Sequence, residues 1–260
     1  MDRMEAVYDE IGTDYAAARH ADPRIARAIR EALGDATSVL NVGAGSGSYE
    51  PEDLDVTAVD PSEEMIRQRP RAAAPCIKGW AEDLPFEDGS FDAALAVLTV
   101  HHWSDRARGL REMRRVARKR VVLFTWDPAS VDTFWMVVEY LPEVAALDVP
   151  RFPTMADLAA ILPGVRVKRV PVPRDCEDGF FGAFWARPEA YLDPRVRRGI
   201  SVFRQLPAAV IERAIERLDA DLRSGAWDER HPGLRDAAEL DLGYRIVDAE
   251  LRDEVIGRHA

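Results

Sequence analysis

The chain has 260 residues, 47% of them hydrophobic and 31% charged, and this ordinary globular composition excludes wholesale disorder. A net charge of −11 makes it a poor general binder of nucleic-acid backbones or anionic membrane surfaces. Two cysteines give no disulfide framework or multi-thiolate metal site, and neither a signal core nor an apolar run of the ~20 residues that span a bilayer is evident, so we expect a cytoplasmic protein.

Two helices are predicted at the start of the chain. Val7, Ile11 and Tyr15 recur every four residues, which is typical of an amphipathic helix. A second helix is predicted from Pro23, a residue type favoured at the first helical position, with Asp22 as its N-cap. We therefore expect most of this segment to be helical.

Between residues 37 and 127, apolar strands alternate with helices. The predicted strands here are Ser38–Val42, Val56–Val59, Pro75–Ile77, Phe91–Val100 and Val121–Phe124. Such alternation calls for a parallel sheet with crossover helices. Further strands are predicted at Val165–Val172 and Tyr244–Val247. The sequence thus predicts an α/β fold with a mostly parallel seven-stranded sheet and helices on both faces.

The segment 174–236, between the last two predicted strands, has a different composition. It is first rich in aromatic residues and proline, and then contains an amphipathic helix around 210–222. We expect it to be a helical cap over the open end of the sheet. The expected division is a core of residues 1–173 with 237–260, and a cap of residues 174–236.

A glycine-rich loop, Gly43-x-Gly45-x-Gly47, follows the first strand of the alternating region. Glycine lets a ligand approach the backbone closely, and ligands of open α/β sheets lie beyond the carboxyl ends of the strands. Asp60 ends the neighbouring strand, where its carboxylate can accept hydrogen bonds from both hydroxyls of a ribose. The pattern predicts a nucleotide-type site, and the simpler alternative is a tight turn between two core strands.

The spacing of this loop disfavours a nicotinamide dinucleotide. Dinucleotide sites favour G-x-G-x-x-G and a following helix whose N-terminus holds the pyrophosphate, whereas the third glycine here comes one residue early. The stretch from Gly47 to Val56 is acidic and leaves room for little more than one helical turn. A nicotinamide-dependent oxidoreductase of related topology remains the alternative enzyme class.

Residues 37–127 resemble the class I S-adenosylmethionine-dependent methyltransferases, in particular the small-molecule group called type 11. The family's loop, V-L-D-x-G-x-G-x-G, is similar to residues 39–47, with Asn41 in place of the usual aspartate. Residues 79–86 are also similar, with Trp80 where the family usually has an aspartate. The resemblance implies a Rossmann-like fold, S-adenosyl-L-methionine as cofactor, and in-line methyl transfer to an oxygen, nitrogen or carbon atom of a small molecule.

The resemblance also implies which residues hold the cofactor. The loop would approach the methionine and ribose, Asp60 would hold the ribose hydroxyls, and residues 80–82 would surround the adenine. The implied cofactor-binding residues are Tyr15, Arg19, Gly43, Ala44, Gly45, Gly47, Asp60, Pro61, Met65, Trp80, Ala81, Glu82, Leu98 and Thr99. Because Tyr15 and Arg19 match a pattern that closes over the cofactor in related enzymes, residues 1–34 are expected to form a lid; a surface helix with a solvated arginine is the alternative.

Two adjacent histidines, His101 and His102, end the fourth predicted strand. Neighbouring residues on a strand point to opposite faces, so the pair is a poor chelate and no metal site is expected. The resemblance places this turn beside the methyl acceptor, where imidazole, with an ordinary pKa of about 6.5, can take or orient a proton. His102 is the first catalytic candidate and His101 the second; two imidazoles hydrogen-bonded to backbone are the structural alternative.

Aromatic residues of the cap are candidate walls for a flat or apolar acceptor. They are Phe180, Phe184, Trp185 and Tyr191, and the alternative is that they form the core of the cap itself. The arginines between 106 and 120 suggest a nucleic-acid surface or, more simply, the solvent face of a helix. We therefore expect a small-molecule methyl acceptor as partner, with no membrane and no nucleic acid. A cofactor-binding protein without catalytic activity is the alternative outside the enzymes.

Overall fold

The structure, a computed structural model, describes residues 20–251. Its strands are β1 (Ser38–Val42), β2 (Asp55–Asp60), β3 (Cys76–Lys78), β4 (Phe91–Val97), β5 (Ala117–Trp126), β6 (Val165–Arg169), β7 (Val172–Pro173), β8 (Glu239–Leu240) and β9 (Tyr244–Glu250). Seven of these form one sheet in the order β3-β2-β1-β4-β5-β9-β6, in which β9 is antiparallel to both neighbours and the other pairs are parallel. The predicted Rossmann-like, mostly parallel seven-stranded sheet is confirmed.

Helices cover both faces of the sheet. They are α1 (Pro23–Ala32), α2 (Glu63–Arg67), α3 (Arg106–Val116), α4 (Glu143–Asp148), α5 (Met155–Ile161), α6 (Pro194–Arg198), α7 (Ser201–Gln205), α8 (Ala208–Ser224) and α9 (Ala226–Arg230). Successive residues of a strand point to opposite faces. Val39 accordingly packs in one apolar cluster with Ile25 of α1, and Leu40 packs in a second cluster with Leu110 of α3.

The helix predicted from Pro23 begins at that residue. The Asp22 carboxylate caps it by accepting a hydrogen bond from the Arg24 N–H at 2.9 Å. The helix predicted on Val7, Ile11 and Tyr15 lies outside the described residues.

The end of β4 differs from the sequence prediction of a strand through Val100. The strand stops at Val97 because the next residue, Leu98, has a left-handed φ of 48°. Residues Val100–His102 then form a single 3₁₀ turn. This change of backbone direction decides where the two histidines point.

Segment 174–236 is closed at its base by a two-stranded ribbon. Val172 of β7 pairs with Leu240 of β8, so the ends of the segment meet. Its buried tryptophans, Trp185 and Trp227, belong to the same apolar cluster as Phe124 of the central sheet. No helix in residues 20–251 is both long enough and apolar enough to cross a membrane.

Candidate active site

The glycine loop packs directly against the end of β4. Gly43 has φ +69°, and a Cβ on it would lie 2.2 Å from Oγ1 of Thr99. The sequence suggests that glycine is needed here to leave room for a ligand. The structure shows that packing against Thr99 already requires it. A Cβ on Gly45, φ +52°, would meet only the terminal methyl of Met65, at 3.3 Å. The N–H groups of Gly43 and Ala44 both donate to the Val59 carbonyl, which ties the loop to β2.

Asp60, at the end of β2, lies beside the glycine loop, and the region where the two meet is here called the crevice. Its carboxylate accepts the Gly45 N–H at 2.7 Å and the Ser62 N–H at 2.9 Å, and Pro61 lies between. A carboxylate offers about four acceptor sites, so it retains capacity for two ribose hydroxyls. Burial raises the pKa of Asp60, an effect that the two N–H groups and the nearby Arg69 partly offset.

A buried ion pair braces the loop from behind. Arg69 and Glu50, whose side chains are only 5% and 8% exposed, lie 2.7 Å apart. The Arg69 guanidinium also donates to the Gly45 carbonyl at 3.0 Å, and Asn41 donates to Glu50 at 3.0 Å. Asn41 thus donates a hydrogen bond to Glu50. An aspartate at this position would instead place a second negative charge next to the Glu50 carboxylate. Gly47 is packed against the pair, since a Cβ there would lie 3.3 Å from each partner.

The residues predicted to surround the adenine lie in different environments. Met65 is buried beside Gly45, and Ala81 is buried, whereas Trp80 is 44% exposed although it is large and aromatic. One oxygen of Glu82 accepts hydrogen bonds from the Ser104 hydroxyl at 2.8 Å and the Asp105 N–H at 3.0 Å. Glu82 therefore fastens the start of α3, whatever else it contacts.

The two histidines lie side by side in the 3₁₀ turn. Their ring centroids are 3.8 Å apart, and His101 also stacks on Phe152 at 3.9 Å. The strand-based expectation of opposite faces is wrong because β4 has already ended. Burial, reinforced by the Arg151 guanidinium, lowers the pKa of His102 to about 3, and burial also holds the pKa of His101 well below its usual range. Both rings are neutral at physiological pH and are weak bases.

A cavity of about 110 Å³, here called the acceptor cavity, opens beside this turn. It lies between residues 126–152 and the cap segment 180–205. Its apolar walls include Leu98, Trp126, Phe134, Phe180, Phe181 and Ile200. Polar residues line it as well. Those near Arg151 are here called the polar end: His101, His102, Asp148, Arg151 and Gln205; Ser201 also lines the cavity.

The structure places the aromatic residues that were predicted as acceptor walls in different environments. Phe180 lines the cavity, and Phe184 is not among its lining residues. Trp185 and Tyr191 are instead fully buried in the core, where the Trp185 Nε1 donates to the Val172 carbonyl at 2.9 Å. Asp148 and Arg151 were not predicted, because short helices with surface-like charge carry no local sign of burial.

Comparisons with known proteins identify the family. A family model described as a methyltransferase domain matches residues 40–125. The crystal structure of a putative methyltransferase from an antibiotic biosynthesis pathway of Anabaena variabilis has a TM-score of 0.84 and 32% identity, over 90% of this chain and 99% of that one. The chain belongs to the class I S-adenosylmethionine-dependent methyltransferases. The predicted family and its cofactor, S-adenosyl-L-methionine, are thereby confirmed.

Curated relatives match this methyltransferase over shorter stretches. An uncharacterised methyltransferase of Mycobacterium tuberculosis is 43% identical over 90 residues, which are 32% of this chain and 36% of that protein. The ubiquinone/menaquinone biosynthesis C-methyltransferase of Geotalea uraniireducens is 27% identical over 171 residues, 51% of this chain and 71% of that protein. The match to the mycobacterial relative thus spans about a third of that relative's length.

The residues of the crevice between the glycine loop and Asp60 fit the cofactor. Gly45 leaves the backbone uncovered, Asp60 keeps acceptor capacity, and the exposed Trp80 offers a flat surface to a base. Tyr15 and Arg19, the predicted lid residues, lie outside the described residues. Among residues 20–251, no group of three or more histidine, cysteine, aspartate or glutamate side chains is placed to hold a metal ion.

Proposed function

We propose that this methyltransferase transfers the methyl group of S-adenosyl-L-methionine to a small, largely apolar molecule in the acceptor cavity. The observation that carries the proposal is the position of the cavity. Leu98 lines it, and the next residue, Thr99, packs against the glycine loop. A molecule in the cavity would therefore adjoin one in the crevice, as in-line transfer requires of two reactants about 3 Å apart.

The bound cofactor supplies a methyl group made electrophilic by its sulfonium. We assign the chain's own residues to binding and orientation: Asp60 to the ribose, the glycine loop to the methionine, and Trp80 and Ala81 to the adenine. Met65, Leu98 and Thr99 would complete the crevice, and Tyr15 and Arg19 would close over it. His101 and His102 would orient the acceptor through neutral rings.

The proposal also covers the division of the chain into core and cap, the class of its partner and its cellular location. We assign residues 174–236 to the cap and the remainder to the cofactor-binding core, with residues 126–152 contributing to the cavity from the core side. Arg115 and Arg118 are engaged with Glu112 and Asp92, which supports a small-molecule acceptor rather than a nucleic acid. The free Cys76 and Cys176 are consistent with a cytoplasmic protein.

Calorimetry tests the cofactor, and product release tests the reaction. We expect S-adenosylmethionine and S-adenosylhomocysteine to bind, and NAD not to bind. Asp60→Asn should weaken S-adenosylhomocysteine binding by about tenfold or more, because hydrogen bonds to a charged acceptor contribute about 1.5–3 kcal/mol. Asp53→Asn, an exposed acid near the same loop, is the matched control and should bind normally.

A panel of hydroxyl, amine and carbon acceptors then reports S-adenosylhomocysteine release. Binding of NAD in place of S-adenosylmethionine would revive the oxidoreductase alternative. Tight cofactor binding with no release across the panel would favour the non-catalytic alternative.

A further inference from the structure

Asp148, at the end of α4, is a carboxylate with unused acceptor capacity inside the acceptor cavity. Its side chain is only 19% exposed. Among the described residues its carboxylate accepts no hydrogen bond, and the Nη1 atom of its ion-pair partner, Arg151, is 4.0 Å away. Carboxylates that folding largely removes from water are normally hydrogen-bonded. A ligand that donates a hydrogen bond would satisfy this one.

Arg151 does not satisfy Asp148 because the Nη1 atom that faces this carboxylate donates to Gln205 on α7 instead and lies 4.0 Å from Asp148. Its backbone carbonyl accepts a hydrogen bond from the Arg106 guanidinium. Arg151 is thus held between the cap and α3, with its charge beside the carboxylate.

The histidines of the polar end are poor proton acceptors by comparison. Arg151 faces both rings, and Arg106 is also close enough to disfavour a charge on His101. A proton on either ring would therefore add positive charge near existing positive charge. Of the residues that line the polar end, Asp148 carries the negative charge.

We propose that Asp148, rather than His102, accepts the proton of the methyl acceptor's nucleophile, and that the acceptor is an aromatic compound with an acidic hydroxyl group, such as a phenol. This inference rests on the proposed function and names its substrate class. As the hydroxyl oxygen bonds to the methyl carbon, the carbon–sulfur bond breaks and its electron pair goes to sulfur. The hydroxyl proton goes to Asp148, which then returns it to water.

Three features select a hydroxyl on an aromatic body. A neutral hydroxyl must lose its proton on methylation, so it needs a base nearby. An amine reaches the site largely as an ammonium ion, and the two positive charges of Arg151 and Arg106 outnumber the single negative charge of Asp148 there. Phe134, Phe180 and Phe181 provide the apolar surface for a ring.

Binding to the S-adenosylhomocysteine complex tests this without a known acceptor. The probes are 2-naphthol, its methyl ether 2-methoxynaphthalene, and 2-naphthylmethylamine, compared by calorimetry at pH 7.5. We expect 2-naphthol to bind at least about tenfold more tightly than the other two. Asp148→Leu should abolish this preference, whereas Glu143→Gln on the same helix, whose side chain pairs with Arg213, should keep it.

The pH dependence provides a readout that a merely structural role would not give. Burial raises the pKa of Asp148 to about 6, so the preference for 2-naphthol should fall as the pH drops through that value. The facing groups are Arg151, His101, His102 and, behind them, Arg106; burial lowers the pKa of His102 to about 3 and also lowers the pKa of His101. A tenfold preference unchanged between pH 5 and pH 8 would overturn the assignment.

Failure of this inference is distinguishable from failure of the proposed function. Equal affinities of the three probes, or tighter binding of the amine, would overturn the inference. S-adenosylhomocysteine release with the amine but not with 2-naphthol would do the same and leave methyl transfer intact. A preference for 2-naphthol that Asp148→Leu removes, with no release from any acceptor, would support the role of Asp148 in binding and overturn the proposed reaction.

Discussion

At the scale of single residues, the charge that Asp148 needs for its proposed role lowers the stability of the folded protein. Burial raises its pKa from 3.8 to about 6, and Arg151 offsets this only in part. A carboxyl group whose pKa is raised by folding stabilises the folded state while protonated, and that contribution is lost as the pH rises from about 4 to about 6. A shift of roughly two units corresponds to about 3 kcal/mol. The charged form at neutral pH is therefore costly.

Asp148→Asn should raise the free energy of unfolding at pH 8 by about 1–3 kcal/mol, because it removes this buried charge. The gain should shrink at pH 4, where the wild-type carboxyl is largely protonated. Urea unfolding at the two pH values measures both. Asp157→Asn is the contrasting control: hydrogen bonds from Thr154 lower the pKa of Asp157, so that variant should lose stability at pH 8. Lower stability of Asp148→Asn at pH 8 would contradict the account.

Residues of the site differ in how far the sequence reveals them. Asp60 could be predicted because it ends a strand, and that position alone puts it at the ligand edge of a parallel sheet. Asp148 could not, because the cavity that it lines is completed by residues such as Gln205, more than fifty positions away. The neutrality of His102 was equally hidden, since it comes from burial and from Arg151.

At the scale of elements, the connection from β1 to β2 is the unusual part of the fold. The short acidic stretch predicts that no full helix follows the glycine loop, and the structure shows turns there. The pairing of Arg69 with Glu50 was not predictable, because charged residues nineteen positions apart normally suggest a solvated surface. In the absence of such a helix, this ion pair holds the glycine loop in place through the hydrogen bond from Arg69 to the Gly45 carbonyl.

Arg69→Gln should lower the free energy of unfolding by about 3–5 kcal/mol, because it leaves the Glu50 carboxylate buried without its cation. Arg30→Gln is the matched control, since Arg30 forms an exposed pair with Asp53. Exposed pairs contribute about 1 kcal/mol or less, so this variant should be nearly as stable as the wild type. Denaturant unfolding compares the two variants, and similar losses would show that the buried pair is not a brace.

At the scale of the whole molecule, the cap and the sheet share one apolar interior. Trp185 and Trp227 of the cap cluster with Val39 and Phe124 of the sheet. The mostly parallel sheet was predictable from local alternation, but this shared interior was not, because it joins segments far apart in sequence. The cap differs from the rest of the chain in composition, but its buried side chains pack in the same apolar cluster as those of the sheet.

Unfolding should accordingly be a single cooperative transition. Tryptophan fluorescence, to which the buried Trp185 and Trp227 contribute, and far-ultraviolet circular dichroism should give the same midpoint within error. S-adenosylhomocysteine at one hundred times its dissociation constant should raise the free energy of unfolding by about 2.7 kcal/mol, and both signals should report the same increase. Two resolved midpoints, or a shift of only one signal, would show that cap and core unfold independently.

The ribbon of β7 and β8 has a consequence for how such enzymes diversify. Because Val172 lies opposite Leu240, the intervening stretch leaves and re-enters the fold at one point. Its length and outward-facing residues can change over evolutionary time without altering strand order or the glycine loop. Selection for new acceptors can therefore change the cavity walls that this segment contributes, such as Phe180 and Phe181, provided that each version still fills the interior around Trp185 and Trp227.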